Sequence, residues 1–307
     1  IYHLLEIMIE ILSFYKIKKI KKINFQKNQL LEEIIKNNVK GLIILSPEGI
    51  NGTIAGKTKE LFFVSKFIKK SLSIKSFDIQ NKTYSSFIPF LKAKVKIKRE
   101  VVPINDKYSF SKKIVKNYLT PKQWDKFIFK KNVKIIDARK PFEYQIGTFK
   151  KAINPKTNNF RDFKKYLSQL EKNEYVGMFC TGGIRCEKAS NFLEKKGFKN
   201  VYMLKGGIIN YFNKIQPKKS NWLGECFVFD NRVTIKKNAK VGNYSICNGC
   251  RMPISHNEMK SPKYKVGLSC PNCYDNLTSD QIKRFTMRHQ QILKSKNKYK
   301  FRRNIIR

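Results

Sequence analysis

The sequence predicts a multidomain α/β chain with three parts. These are an N-terminal ferredoxin-like α+β domain over residues 1–105, a central parallel α/β domain over 106–221, and a small cysteine-rich unit with a basic tail over 222–307. Three observations predict it. The first hundred residues order their apolar patterns as β-α-β-β-α-β, the middle alternates short buried strands with helices, and the last third carries two C-x2-C pairs in loop-rich sequence. A length of 307 residues supports more than one core.

In the first part, ILSFYKI reads as a strand, NQLLEEIIKNN as a helix and VKGLIIL as a second strand. SPEGINGTIAG follows, and its Asn51-Gly52 pair offers a turn between two β runs. KELFFVSKFIKKSL then places Leu61, Val64, Ile68 and Leu72 on one helical face. The closing strand is expected within FLKAKVKIKREVV. Gly49, Gly52 and Gly56 lack the helix-opening fingerprint of a phosphate loop and read as turn glycines.

The second part opens with Thr120-Pro121, an N-cap followed by proline at the first helical position. VKIID and EYVGMF are short buried strands, FRDFKKYLSQL and CEKASNFLEKKG are helices with Gly197 ending the second, and NVYML is a strand leading to GGIINYF. Such alternation implies a parallel sheet covered on both faces, with chemistry gathered at the carboxyl ends of the strands. Cys180 stands at such an end.

The third part contains Cys247-x2-Cys250 and Cys270-x2-Cys273, separated by nineteen residues, the ribbon-like spacing of a four-thiolate structural zinc site; disulfides or a metal-free cluster are the alternatives. The tail beyond Asp280 joins Lys283, Arg284, Arg288, Arg302, Arg303 and Arg307 to Phe285, Tyr299 and Phe301. That mixture can hold phosphates and stack on unpaired bases, or simply be a solvated basic tail.

Composition sets limits. A net charge of +43 attracts polyanions, RNA and DNA first. Only 11 of the 65 basic residues are arginine, however, and lysine, asparagine and isoleucine crowd the whole chain as in an A+T-rich genome, so charge alone identifies no ligand. A hydrophobic share of 41% without a long apolar span argues for a globular protein rather than a membrane one. Seven cysteines, an odd number, suit a reducing compartment, and the N-terminal stretch lacks a basic n-region and a cleavage site; a cytoplasmic location is expected, with no obligate protein partner evident.

Candidate chemistry centres on FCTGGIRC. A strand ending in Cys180 and turning through Thr181, Gly182, Gly183 and Ile184 to Arg185 aims backbone N–H groups at the sulfur. A helix dipole and a guanidinium would then lower the thiol pKa below its free value of about 8.5. The C-x4-R cradle is shorter than the C-x5-R loop that wraps a phosphate, and Phe179 stands where phosphatases often place histidine, so a small electrophile is favoured over a phosphoester. Cys186, six residues on, reads as helix packing in preference to a resolving thiol, and Cys226 as packed.

The run IIDARKPFEYQIGTFKKAINP, with FCTGGIRCEKAS and GFKNVYMLKGGI, resembles a rhodanese domain. Asp137, Arg139, Glu143 and Gly147 match its frame, in which the acid and arginine support the active-site face. SPEGINGTIAG upstream and GECFVFDNRV, CNGCRMP and GLSCPNCY downstream extend the likeness to the bacterial rhodanese-containing, oxygen-dependent tRNA uridine 5-hydroxylases, from about residue 11 onward. The chain departs from that family at Lys140, where asparagine is usual, and lacks the histidine and arginine common after PF. The resemblance implies hydroxylation at carbon 5 of the wobble uridine, with the tRNA anticodon loop as partner, molecular oxygen as co-substrate and Cys180 as active-site residue. Cys180 would either add to carbon 6 of the pyrimidine or carry an oxidised or persulfide sulfur. With three histidines, His3, His256 and His289, and no dinucleotide fingerprint, no organic cofactor is expected. The competing readings are a sulfurtransferase working through a Cys180 persulfide and a non-catalytic RNA-binding module.

Overall fold

The structure, a computed structural model, describes residues 8–106 and 117–294. The chain as far as Cys226, with Lys236–Lys240, packs as one compact unit, and Phe227–Ile235 with the chain from Val241 onward forms a second.

The first unit begins with a ferredoxin-like sheet. Strands β1 (Ile9–Ile17), β2 (Lys40–Ser46), β3 (Gly49–Gly56) and β4 (Ile79–Ser85) lie in the order β4-β1-β3-β2, each antiparallel to its neighbour. Helices α1 (Ile23–Lys36) and α2 (Thr58–Ser71) bury Leu30, Ile34, Leu61, Val64 and Ile68 against Leu12, Phe14, Ile43, Leu45, Ile50 and Ile54. The 3.6-residue spacing read in the sequence is the spacing of this buried stripe.

Two local expectations are corrected. Asn51-Gly52 lies inside β3, and the chain reverses at Pro47-Glu48 instead. Gly52 pairs with Phe14, and a Cβ there would stand 2.7 Å from the phenyl ring, so this glycine makes room for an aromatic side chain instead of turning the chain. The strand that closes the ferredoxin-like sheet is β4, sequence IQNKTYS, while β5 (Ala93–Ile97) runs parallel to β2 on the opposite edge as a fifth strand. β4 hides from a hydrophobic search because its inward positions Asn81, Thr83 and Ser85 are polar.

The second sheet is parallel, in the order β6-β10-β9-β7, from β6 (Asn117–Leu119), β7 (Val133–Asp137), β9 (Tyr175–Phe179) and β10 (Val201–Leu204). Its connections carry α3 (Pro121–Phe127), α4 (Pro141–Ile146), the short β8 (Gly147–Phe149), α5 (Phe160–Leu167) and α6 (Ile184–Lys195), and α7 (Gly207–Lys214) follows β10. Thr120 caps α3 as expected, its hydroxyl accepting from the Gln123 N–H while the Gln123 carboxamide accepts from the Thr120 N–H. Gly197, at φ +87°, follows the end of α6. Beyond α7, β11 (Trp222–Gly224) pairs antiparallel with β8 and sends Trp222 edge-on into Phe149, Phe179 and Phe212.

The two sheets of this unit share a third core. Tyr15, Ile79, Val101 and Val102 from the first part close over Ile184 of the second. The second unit contains a ribbon of Ser245–Ile246 against Pro253–Ile254 and helix α8 (Ser279–Lys294). Among the described residues no helix is long and apolar enough to cross a membrane.

Candidate active site and metal-ligating cluster

Cys180 follows β9 at the carboxyl end of the parallel sheet, and α6 begins four residues later at Ile184. Gly183 takes φ +102°, which only glycine adopts without strain, and its N–H donates to the Cys180 Sγ at 3.1 Å. Cys180 is buried, 1% exposed, in the core of the parallel sheet. Gly182 beside it is only half-buried and has open space where a Cβ would stand, so the loop meets solvent there.

Burial alone pushes the Cys180 thiol up. The S–H of Cys186, the charge of Arg185 and the N–H groups of Cys186 and Gly183 overrule it, and the pKa falls to about 6. Cys186 goes the other way: burial, the hydrogen bond to Cys180 and the Cys180 charge hold its thiol well above the usual range. These opposed shifts favour the thiolate at Cys180 and the thiol at Cys186 at neutral pH. The sequence anticipated the amides and the guanidinium and read Cys186 as helix packing in preference to a resolving thiol; its thiol and its N–H add to what lowers the Cys180 pKa.

Arg185 is fixed from behind. Its guanidinium grips Glu143 in two parallel hydrogen bonds, Nη1 to Oε2 at 2.8 Å and Nη2 to Oε1 at 2.9 Å, and Nη2 also donates to the Thr181 hydroxyl at 3.2 Å. Glu143 is completely buried, and although burial raises a carboxyl's pKa, the Arg185 charge and hydrogen bonds hold this one below the usual carboxylate range. Asp137 and Arg139 sit one layer further out as a fully buried bidentate pair. Arg139 donates to Asp137 at 2.8 and 2.6 Å and to the Gly147 carbonyl at 2.6 Å, and its guanidinium lies 5.0 Å from the Trp222 ring. They hold the β7–β8 corner against the aromatic cluster.

Three supports were not legible as such. Gly206-Gly207 opens α7 beneath the cradle, where the N–H groups of Ile208 and Ile209 donate to the Cys180 and Thr181 carbonyls at 3.0 and 3.1 Å. Gly207 has φ +65°, and a Cβ on it would stand 2.4 Å from the Cys180 carbonyl oxygen. From the first sheet, Asn81 donates its carboxamide to the Gly206 carbonyl at 2.8 Å. The Tyr15 hydroxyl is buried beside Gly183 with no protein hydrogen-bond partner at standard geometry, next to Tyr118, whose own hydroxyl donates to Glu187. A glycine pair at a helix start was the available signal for the first; the others come from residues distant in sequence.

In the second unit the Sγ atoms of Cys247, Cys250, Cys270 and Cys273 lie within 4.8 Å of one another, with separations of 4.0 Å (Cys247–Cys273), 3.7 Å (Cys250–Cys270) and 3.9 Å (Cys270–Cys273). Four sulfurs around a tetrahedral ion at a Zn–S distance of about 2.3 Å stand about 3.8 Å apart, so the donor set fits zinc and leaves no open coordination position. Arg288, which the sequence offered to RNA, donates to the Asn248 carbonyl between the first cysteine pair and stacks over Phe285 at 4.8 Å. Arg302, Arg303, Arg307, Tyr299, Phe301 and His3 lie outside the described residues.

Comparison with known proteins matches this architecture. Residues 9–101 match the family described as UPF0176 acylphosphatase like domain, and residues 120–214 match the rhodanese-like domain. The chain is 53% identical over 285 residues to a protein of Pelagibacter ubique named tRNA uridine(34) hydroxylase, covering 93% of this chain and 94% of that one. Among solved structures it is similar to a rhodanese-like domain protein from Staphylococcus aureus (25% identity, 31% of this chain and 90% of that one, TM-score 0.27) and a rhodanese-related protein from Thermoplasma volcanium (23%, 32% and 92%, TM-score 0.28).

Proposed function

The chain belongs to the tRNA uridine(34) hydroxylase family, and on that footing we propose that it hydroxylates carbon 5 of the wobble uridine in tRNA, with molecular oxygen as co-substrate and Cys180 as the reacting residue. What supports the chemistry is the cradle around Cys180, where the Gly183 N–H donates to the sulfur, Glu143 fixes Arg185 nearby, and a neighbouring thiol, the guanidinium and the amides bring the Cys180 pKa down to about 6.

A uracil ring is an electron-poor alkene between carbons 5 and 6, conjugated to the carbon-4 carbonyl. A thiolate adds at carbon 6, and the electron pair released makes carbon 5 nucleophilic, the position that must meet oxygen. Cys186, Arg185 and the loop amides favour the ionised sulfur, and Glu143 fixes Arg185, so the nucleophile needs no separate base at neutral pH. The open space outside Gly182, two residues from Cys180, suits the approach of an unstacked base such as one presented by an anticodon loop. The positive charge of the chain favours the tRNA backbone, and the cytoplasm, where tRNA is found, is the proposed place of action.

Cys247, Cys250, Cys270 and Cys273 would hold one zinc ion. Its contribution is structural: it ties together the small cluster in which those cysteines pack with Ile254, Met259 and Tyr264.

Mass spectrometry of tRNA nucleosides tests the reading. Cells lacking the gene lose 5-hydroxyuridine and its derivatives, and a Cys180→Ser copy fails to restore them. Full restoration by Cys180→Ser removes the proposed role of the thiolate, and loss of a thiolated nucleoside instead marks a sulfurtransferase.

A further inference from the structure

Putting one atom of molecular oxygen into a C–H bond leaves the second atom to be reduced to water, which takes two electrons and two protons. Two thiols supply both on closing to a disulfide. The cradle contains such a pair. Cys180 follows β9 and Cys186 lies in the first turn of α6; both are 1% exposed, both belong to one core cluster, and the ionisation of each thiol is set in part by the other. The glycine turn at Gly182-Gly183 folds the loop back on Cys180, the Gly183 N–H donating to its sulfur at 3.1 Å, and leads the start of α6 into the core cluster that holds both cysteines.

We propose that Cys180 and Cys186 act as a dithiol that reduces the second oxygen atom to water and closes to a disulfide in each turnover. The inference rests on the hydroxylase reading. After oxygen has added at carbon 5 and the ring has released Cys180, the Cys180 thiolate attacks the outer oxygen of the carbon-5 hydroperoxide. The O–O bond breaks, the ring keeps the inner oxygen as its hydroxyl, and Cys180 becomes a sulfenic acid. Cys186 then attacks that sulfur; the S–O bond breaks, the S–S bond forms, and the hydroxyl leaves as water with the Cys186 proton. The balance is one C–H, one dioxygen and two thiols giving one C–OH, one water and one disulfide. An external dithiol returns the pair to the reduced state.

A merely electrostatic role for Cys186, donating its S–H to the thiolate, makes a different prediction, and Cys186→Ser separates the two because serine keeps a donor but cannot form the disulfide. The reduced full-length protein, freed of added thiol, is mixed in air with excess tRNA lacking the modification. The wild type is expected to form one 5-hydroxyuridine per chain and stop, with two thiols lost and a Cys180–Cys186 cross-link in the non-reduced peptide map; dithiothreitol restarts it. Cys186→Ser is expected to stop with Cys180 as a sulfenic acid that dimedone traps, and without the cross-link. Many products per chain without added thiol, or arrest with both thiols still titratable, overturns the dithiol. A wild type that makes no 5-hydroxyuridine even with dithiothreitol overturns the hydroxylase reading itself, and the dithiol with it.

Discussion

Glu48 and Lys188, 140 residues apart in sequence, meet in a buried ion pair in which the Lys188 ammonium donates to both Glu48 carboxylate oxygens at 2.7 and 2.8 Å. Glu48 belongs to the EGINGT run of the first sheet and Lys188 to the CTGGIRCEKAS run that forms the cradle and its helix. The ammonium also reaches Glu100 at 3.1 Å and the Asp106 carbonyl at 3.1 Å, and Glu48 in turn accepts from the Val101 N–H at 2.9 Å. Two motifs that read as separate features are thus halves of one junction, set one turn along the helix that follows the reactive loop.

Lys188→Met leaves Glu48 and Glu100 facing each other with their cation gone. Removing one partner of a buried ion pair costs about 3–5 kcal/mol. Urea denaturation of the variant is expected to show a loss of that size, with part of it recovered when Glu48→Gln is added. A loss under about 1 kcal/mol in the single variant would mean the pair is not buried in solution.

Cys180 is expected to react with iodoacetamide as a thiolate down to about pH 6, the rate falling about tenfold per unit below that. Because its folded pKa lies below that of an unfolded thiol, about 8.5, ionisation adds stability that is complete above the unfolded value. That stability is lost as pH falls through the folded value of about 6. Arg185→Gln removes the cation and shifts the alkylation profile upward by about one unit or more. A wild-type profile centred near 8.5 would contradict the cradle's geometry.

Gly207→Ala places a methyl 2.4 Å from the Cys180 carbonyl oxygen at a backbone angle that alanine disfavours by about 1–2 kcal/mol. The loop must shift to admit it. Slower alkylation of Cys180 in a protein with nearly unchanged far-ultraviolet circular dichroism is expected; unchanged alkylation would show that the α7 clamp does not set the cradle.

Metal analysis of the purified protein is expected to give about one zinc per chain. Chelation should raise amide hydrogen exchange in residues 241–294 while leaving the parallel sheet protected, since the cluster lies in a unit of its own. Cys270→Ser should reproduce the effect, and full protection after zinc removal would dismiss the structural role.

Most of the scaffold was legible because its signals are local. Leu61, Val64 and Ile68 announce α2 by their spacing, Thr120-Pro121 announces α3, and the cysteine, glycines and arginine of the cradle stand within six residues. What escaped is long-range or disguised. β4 is polar on its buried side because Asn81 serves the Gly206 carbonyl across the unit, so no apolar alternation marks it. Gly52 looks like a turn residue until Phe14 is seen to lie across it. Glu143 was matched to a family frame, but its grip on Arg185 crosses 42 residues and no local spacing reveals it. Cys186 was weighed as packing ahead of a resolving thiol because helix position does not say what a thiol has beside it.

Trp222 reaches back from beyond α7 to fill the space between Phe149, Phe179 and Phe212, with the Arg139 guanidinium over its ring. A recombinant piece trimmed at residue 214, where the rhodanese-like domain match stops, would therefore lack a plug. Water would enter beside a buried arginine, and measurements of sulfur reactivity on that piece would report a damaged pocket. Fragment work should carry the chain at least through Gly224, the last residue to pair with β8.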